Sequence, residues 1–240
     1  MVLLAFAALG WIAQRPLFAV QRVVVQGHQG APLRHVNAPT VRANLAGKVS
    51  GSFFTVNLDD VRQAFEAVPW VRHASVRRLW PNGLVVDLEE HRPLGIWGSP
   101  ESGRLVNQQG ELFVANLAEA EDDVELIALH GPDGTSADVT AELRAIEPWL
   151  APLQARIVEI TLDQHYGWAV RLKSGMRLEL GRDQGEQQRA AMRERIQRFL
   201  LALPQATQRF GANVESVDLR YPNGFALRTS QGGRADGHHD

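Results

Sequence analysis

The sequence contains no cysteine among its 240 residues. A disulfide framework, thiolate metal sites and a cysteine nucleophile are therefore excluded, and the absence fits an oxidising compartment. An excess of one charge is also lacking, because 25 basic and 27 acidic side chains give a net charge of −2. This balance offers no general footprint for nucleic acid or an acidic lipid surface. Apolar residues make up 45% of the chain, which is enough for a large core and excludes wholesale disorder.

Catalytic and metal-binding motifs are missing as well. There is no Gly-x-Ser-x-Gly elbow and no dinucleotide-binding loop, and Gly47–Ser52 (GKVSGS) lacks the Gly-Lys-Ser/Thr ending of a phosphate loop. None of the eight histidines has a metal-ligand spacing. Glu89 and Glu90 are neighbours on a predicted strand, so they point to opposite faces and cannot act as an acid–base pair. The sequence predicts a protein that is not an enzyme and has no cofactor, although a periplasmic hydrolase remains an alternative.

The N-terminus begins with an uncharged apolar run, Met1–Ala13. As a helix this run is about 20 Å long, short of the roughly 30 Å of a bilayer core, and a snorkelling Arg15 followed by Leu17 and Phe18 extends it. No basic residue precedes the run and no small-x-small cleavage site follows it. We therefore predict an uncleaved, N-terminally truncated transmembrane anchor over residues 1–19, with a buried core helix as the alternative.

The next 75 or so residues predict the element order β-α-α-β-β. Phe18–Gly27 is rich in β-branched residues, Asn37–Gly47 and Asn57–Val68 have helical spacing with caps, and two strands follow. Trp80–Gly83 (WPNG) is the predicted turn between these strands, and we expect Gly83 to take a positive φ.

From Leu94 the pattern changes to short strands interrupted by two predicted helices, which indicates a mostly antiparallel β domain within an α+β fold. A second aromatic-Pro-Asn-Gly turn occurs at Tyr221–Gly224, again between two predicted strands. The predicted boundaries are 20–92 for the first domain and 93–230 for the second. Residues 231–240 (QGGRADGHHD) are Gly-rich and polar, and we predict a disordered tail.

The order of these segments resembles the FtsQ/DivIB family of bacterial cell division proteins. The resemblance covers Leu3 to Arg228, and its order and spacing are more specific than any single motif. It implies a membrane anchor, a POTRA domain over residues 20–92 and a β domain over residues 93–230. The segments that carry it are FAVQRVVVQG, PWVRHASVRRLWPNGLVVDLEEHRPLGIWG, GRLVNQQGELF, LELGR and VESVDLRYPNGFALR.

The resemblance implies a single-pass inner-membrane protein of the divisome, with its bulk in the periplasm at the division septum. Such a scaffold binds FtsB and FtsL, helps control septal cell-wall synthesis and takes neither nucleic acid nor a small-molecule substrate. In the family, FtsB adds a strand to the last strand of the β domain. The positions that match this site are Tyr221, Asn223, Gly224, Phe225, Ala226 and Leu227.

A second part of the family site is an arginine just before a tryptophan, which some members pair with an acidic partner residue. This sequence has His165, Tyr166 and Gly167 before Trp168 instead, so the Tyr166 hydroxyl or His165 is expected to substitute. We expect Phe225–Ser230 to be an open sheet edge, with Tyr221 and Phe225 as aromatic anchors. Two alternatives remain at this point. Tyr221–Gly224 could be only a hairpin turn, and the chain could be a POTRA-containing component of a protein assembly or secretion system.

Overall fold

A computed structural model of the protein describes residues 19–45, 52–182, 185–210, 214–229 and 234–238. The chain divides into two compact units, Met1–Arg92 and Pro93–Asp240. Apart from Ala19, the predicted anchor lies outside the described residues. Within the ranges given above, no helix is long and apolar enough to cross a membrane.

The described residues of the first unit form a three-stranded sheet and two α-helices. Its middle strand, β3, is parallel to β1 and antiparallel to β2. The element order β-α-α-β-β confirms the prediction for this part of the chain. The bounds are β1 Arg22–Gly27, α1 Ala38–Leu45, α2 Leu58–Glu66, β2 Val71–Leu79 and β3 Gly83–Glu90.

Local sequence signals determine where helix α2 begins and which of its faces is buried. The Asn57 side chain accepts a hydrogen bond from the Asp59 N–H at 3.0 Å, which satisfies one of the free donors at the helix start. One turn further on, Val61 and Phe65 are buried, four residues apart on the same face. The cap fixes where the helix begins, and the apolar stripe fixes which face it buries.

The turn before β3 differs from the prediction in its backbone. Gly83 does not have a positive φ, so the expected left-handed conformation was wrong. The space around Gly83 explains a glycine here, since a Cβ would lie 3.3 Å from the Leu79 Cβ and 3.4 Å from the Arg22 carbonyl oxygen. The residue allows β1 and β2 to approach the start of β3 closely.

The second unit is built on one ten-stranded sheet with the order β13-β12-β11-β10-β9-β8-β7-β4-β5-β6. The pairs β4–β7, β7–β8 and β10–β11 are parallel and the others antiparallel, which confirms a mostly antiparallel domain. The strands are β4 Pro93–Trp97, β5 Arg104–Asn107, β6 Leu112–Val114, β7 Ile127–His130, β8 Ile157–Leu162, β9 Gly167–Leu172, β10 Arg177–Arg182, β11 Val214–Asp218, β12 Gly224–Thr229 and β13 Arg234–His238.

The part of this unit that the structure describes contains three α-helices, not the predicted two: α3 Leu117–Asp123, α4 Ser136–Leu150 and α5 Glu186–Phe210. The sequence reasoning missed α3 because this short acidic helix buries only Ala120 and has no apolar stripe. The two long helices correspond to the two predicted ones, and each contributes an apolar stripe to the core. The core includes Val139, Leu143 and Ile146 from α4, Met192, Ile196 and Phe199 from α5, and Ile160, Val170, Leu178 and Val217 from the sheet.

The last strand contradicts two predictions about the C-terminal region. Strand β13 pairs antiparallel with β12, in a register that runs from Gly224 opposite His238 to Arg228 opposite Arg234. The tail is therefore not disordered over Arg234–His238, and β12 is not an open edge. Pairing of this kind uses backbone N–H and C=O groups, so a polar, Gly-rich composition does not prevent it.

Candidate functional site: the β12 edge and its turns

The turn before β12 presents the predicted aromatic residue. Tyr221 is 49% exposed, and the adjoining Asn223 is exposed as well. From α5, the Arg198 Nη2 donates a hydrogen bond to the Pro222 carbonyl oxygen at 2.7 Å. The turn is thus attached to a helix that is itself packed in the core.

Strand β12 has one face toward the core. The Phe225 and Phe199 rings meet edge-on, with centroids 5.6 Å apart, and Leu227 is buried. Because side chains alternate along a strand, Gly224, Ala226 and Arg228 point to the opposite face. Phe225 and Leu227 therefore hold the strand in place, while its outer edge contributes backbone groups.

The second predicted part of the site is the turn between β8 and β9. Trp168 is buried in the core, whereas Tyr166 is 54% exposed and has a φ of 61°. The Asp163 carboxylate accepts hydrogen bonds from the His165 N–H at 2.7 Å and the Gly167 N–H at 2.8 Å. Both bonds lower the pKa of Asp163 below its ordinary value, and the bond from Gly167 has the larger effect.

The two turns lie at the same end of the sheet. Trp168 is opposite Gly181, and a Cβ on Gly181 would lie 3.4 Å from the Arg220 Cγ. Arg220 directly precedes Tyr221 and lies two residues after the end of β11. Three strand spacings separate β9 from β12, about 14 Å in all. Tyr166 and Tyr221 are therefore on one rim without touching each other.

Sequence reasoning missed the arginines of this rim. Arg220 forms a two-pronged ion pair with Asp218, Nε to Oδ1 at 2.9 Å and Nη2 to Oδ2 at 2.6 Å, which raises the pKa of the guanidinium. Arg195 donates to the Leu180 carbonyl oxygen at 3.0 Å. The family resemblance implies an arginine only at the position just before Trp168. A usable signal was Arg220 beside Tyr221, together with Arg195 and Arg198 three residues apart on α5.

Replacing Asp163 with alanine is expected to loosen the Tyr166 turn, because two backbone N–H groups lose their acceptor. The His165 and Gly167 amides should then exchange hydrogen faster at neutral pH. In the wild type, the lowered pKa means that the carboxylate's contribution is present above the ordinary value of 3.8 and is lost as pH falls through the lower folded value. Amide exchange measured by NMR over a pH series checks this. Asp133→Ala, at a side chain that is 98% exposed, is the control. Unchanged exchange in the Asp163 variant would contradict the expectation.

The exposed side chains of this rim include two tyrosines and two arginines: Tyr166, Tyr221, Arg198 and Arg220. Over the described ranges, no group of three or more His, Cys, Asp or Glu side chains could hold a metal ion.

Comparison with known proteins covers both units. Residues 18–91 match the family described as POTRA domain, FtsQ-type, and residues 95–220 match the family described as Cell division protein FtsQ/DivIB, C-terminal. The second match ends just before Tyr221.

Curated relatives are similar over nearly the whole chain. The cell division protein FtsQ of Burkholderia pseudomallei is 48% identical over 232 residues, which cover 96% of this chain and 88% of that protein. FtsQ of Bordetella pertussis is 42% identical, covering 92% and 83%, and FtsQ of Thiomonas arsenitoxydans is 37% identical, covering 92% and 79%. With both units matched in the same order, this chain belongs to the FtsQ/DivIB family of cell division proteins.

Proposed function

We propose that this chain is a non-enzymatic scaffold of the divisome, anchored once in the inner membrane at the septum with its bulk in the periplasm. It binds FtsB and FtsL through its periplasmic units and helps to control septal cell-wall synthesis. The observation that carries the proposal is the β12–β13 ladder, because it indicates that the outer edge of β12 accommodates an added strand along Gly224–Arg228.

In this proposal the FtsB strand takes the place of β13. The β13 sequence, Arg-Ala-Asp-Gly-His, is rich in residues that are depleted in strands and has no large apolar side chain. Five register pairs attach it to β12 through the backbone. A partner strand can form the same backbone hydrogen bonds and add side-chain contacts. We therefore expect it to bind β12 more tightly than β13 does and to displace β13.

The predicted site residues take different roles in this arrangement. Tyr221 is the outer aromatic contact at the start of the docked strand, and Asn223 and Gly224 shape its turn. Ala226 leaves the outer face of β12 free of bulk, while Phe225 and Leu227 fix the strand from the core side. Tyr166 offers a hydroxyl further along the same rim, with Trp168 packed beneath its turn.

Replacing Tyr221 with alanine is expected to weaken FtsB binding by about tenfold, because an exposed aromatic ring at the docked strand is lost. Co-purification of FtsB and FtsL with the full chain from membranes, followed by titration with FtsB, measures the effect. Leu201→Ala is the matched control, since this apolar side chain on α5 is 80% exposed. Equal FtsB binding by the wild type and a folded Tyr221 variant would remove Tyr221 from the site. Recovery of outer-membrane assembly clients in place of FtsB would favour the assembly or secretion alternative.

A further inference from the structure

The N-terminal part of the chain joins the first unit at one end of its sheet. Ala19 forms a β-bridge with Ser52, and the Gln21 N–H donates to the Asn82 carbonyl oxygen at 3.0 Å. The Asn82 side chain also donates to the Gln21 Oε1 at 3.2 Å. Residues 19–21 therefore lie beside the β2–β3 turn. The sequence just before them is the apolar run of the proposed anchor.

Three aromatic side chains form a cluster at this same end, which we call the Phe54–Trp80 surface. Phe53 is buried, and its ring meets those of Phe54 and Trp80 edge-on, with centroids 5.2 and 5.6 Å away. Trp80 is 68% exposed and Phe54 is 49% exposed. Large aromatic rings exposed to this degree on the same small cluster are costly in water.

The cluster is held in place by β2. The Arg78 Nε donates to the Phe53 carbonyl oxygen at 2.7 Å, and its Nη2 donates to the Val56 carbonyl oxygen at 2.9 Å. The segment that carries Phe53 and Phe54 is thereby tied to the strand that leads into Trp80. The exposed rings are part of a fixed surface of the unit.

The chemistry of these rings fits the boundary between lipid and water. Indole combines a large apolar body with one N–H donor, and tryptophan is enriched where membrane proteins cross this boundary. The cluster is also close to the proposed anchor, because a fully extended chain from residue 18 to residue 21 spans at most about 10 Å. The exposed Arg22, at the start of β1 beside Gly83, adds a positive charge at the same end.

We propose that the Phe54–Trp80 surface inserts into the interfacial layer of the membrane that holds the N-terminal anchor. This inference rests on the anchor of the proposed function. Anchor and surface together attach the first unit at two points, so its orientation on the membrane is restricted. The partner of this surface is the phospholipid leaflet.

The lack of cysteine makes the test direct, because an introduced thiol is the single labelling site of the full chain. Phe54→Cys leaves Trp80 in place and Trp80→Cys leaves Phe54 in place, so each variant retains one exposed ring. His28→Cys is the control. His28 is exposed and follows the far end of β1, about 20 Å from the cluster.

Each variant is labelled with an environment-sensitive fluorophore and reconstituted into phosphatidylcholine–phosphatidylglycerol vesicles, with and without lipids brominated near the headgroup end of their chains. We expect labels at 54 and 80 to lose on the order of half of their emission to the brominated lipid, and the label at 28 to lose almost none. Circular dichroism verifies that each variant is folded. Equal quenching at all three positions, in protein that floats with the vesicles, overturns the inference alone. Protein that does not float refutes the anchor, and this inference with it.

Discussion

Replacing Arg189 with methionine is expected to lower the free energy of unfolding of the second unit by about 3 kcal/mol. The Arg189 Nη2 donates to the Glu142 Oε2, and the Glu142 side chain is only 3% exposed. This ion pair connects α5 to α4. Removal of the arginine takes this charge-assisted hydrogen bond away from a buried carboxylate, so less of the cost of its desolvation is offset. Chemical denaturation monitored by circular dichroism measures the loss.

Two further variants separate this ion pair from a general effect of losing an arginine. Arg193→Met, one turn further along α5 at an exposed position, should change stability by no more than about 0.5 kcal/mol. The double variant Glu142→Leu/Arg189→Met should recover most of the lost stability, because no buried charge remains. If Arg189→Met costs no more than Arg193→Met, the pair does not stabilise the unit.

Proline at one of two neighbouring positions in β12 is expected to weaken FtsB binding by at least about tenfold while the unit stays folded. Consecutive N–H groups of a strand point to opposite sides. Of Ala226 and Leu227, one therefore donates toward β11 and the other toward the strand on the outer edge. Because Leu227 is buried, Leu227→Pro is compared with Leu227→Ala, and Ala226→Pro is compared with the wild type, so that each comparison isolates the loss of one N–H donor. Thermal unfolding identifies the proline variant that loses stability. The affinity for FtsB is then measured by titration of the other proline variant, which remains stable. If the folded variant binds FtsB as the wild type does, β12 is not the docking edge.

The opposite result is expected when proline is placed in β13. Ala235→Pro with Asp236→Pro removes whichever N–H faces β12, so the edge is vacated without a change in β12. If β13 leaves the edge open about a tenth of the time, FtsB should bind the variant about tenfold more tightly. Ala235→Ser with Asp236→Asn keeps both donors and should bind like the wild type. Weaker binding by the proline variant would mean that β13 is part of the docking surface.

The sequence predicts correctly those features that depend on residues close together in the chain, and it fails where residues distant in sequence decide the structure. The Asn57 cap and the Val61–Phe65 stripe of α2 depend on residues a few positions apart, and they were predictable. The Trp80–Gly83 turn was predictable as a turn, but the conformation of Gly83 was not. Its backbone depends on the approach of β1, which is some sixty residues away in sequence. Helix α3 escaped prediction because it lacks the periodicity on which helix prediction depends.

The candidate site shows the same division. The resemblance drew attention to the Tyr221 turn and to Tyr166, and register across β9, β10 and β11 then brings the two to one rim. The roles of Phe225 and Trp168 needed the tertiary structure, since a strand pattern does not tell which face meets a helix. Arg198, which holds Pro222, was overlooked because the two are on different elements.

The sequence by itself determined the element order of the first unit, the mostly β character of the second and the absence of cysteine chemistry, because each follows from residue type and local spacing. Only the tertiary structure decided what covers the outer edge of β12 and which aromatic rings lie at the end of the first sheet where residues 19–21 join it. A β-ladder is made by backbone groups that every non-proline residue carries, so the pairing of β13 leaves little trace in residue type. Exposure of Trp80 beside Phe54 likewise depends on the meeting of segments distant in sequence, and the pattern of either segment alone does not specify it.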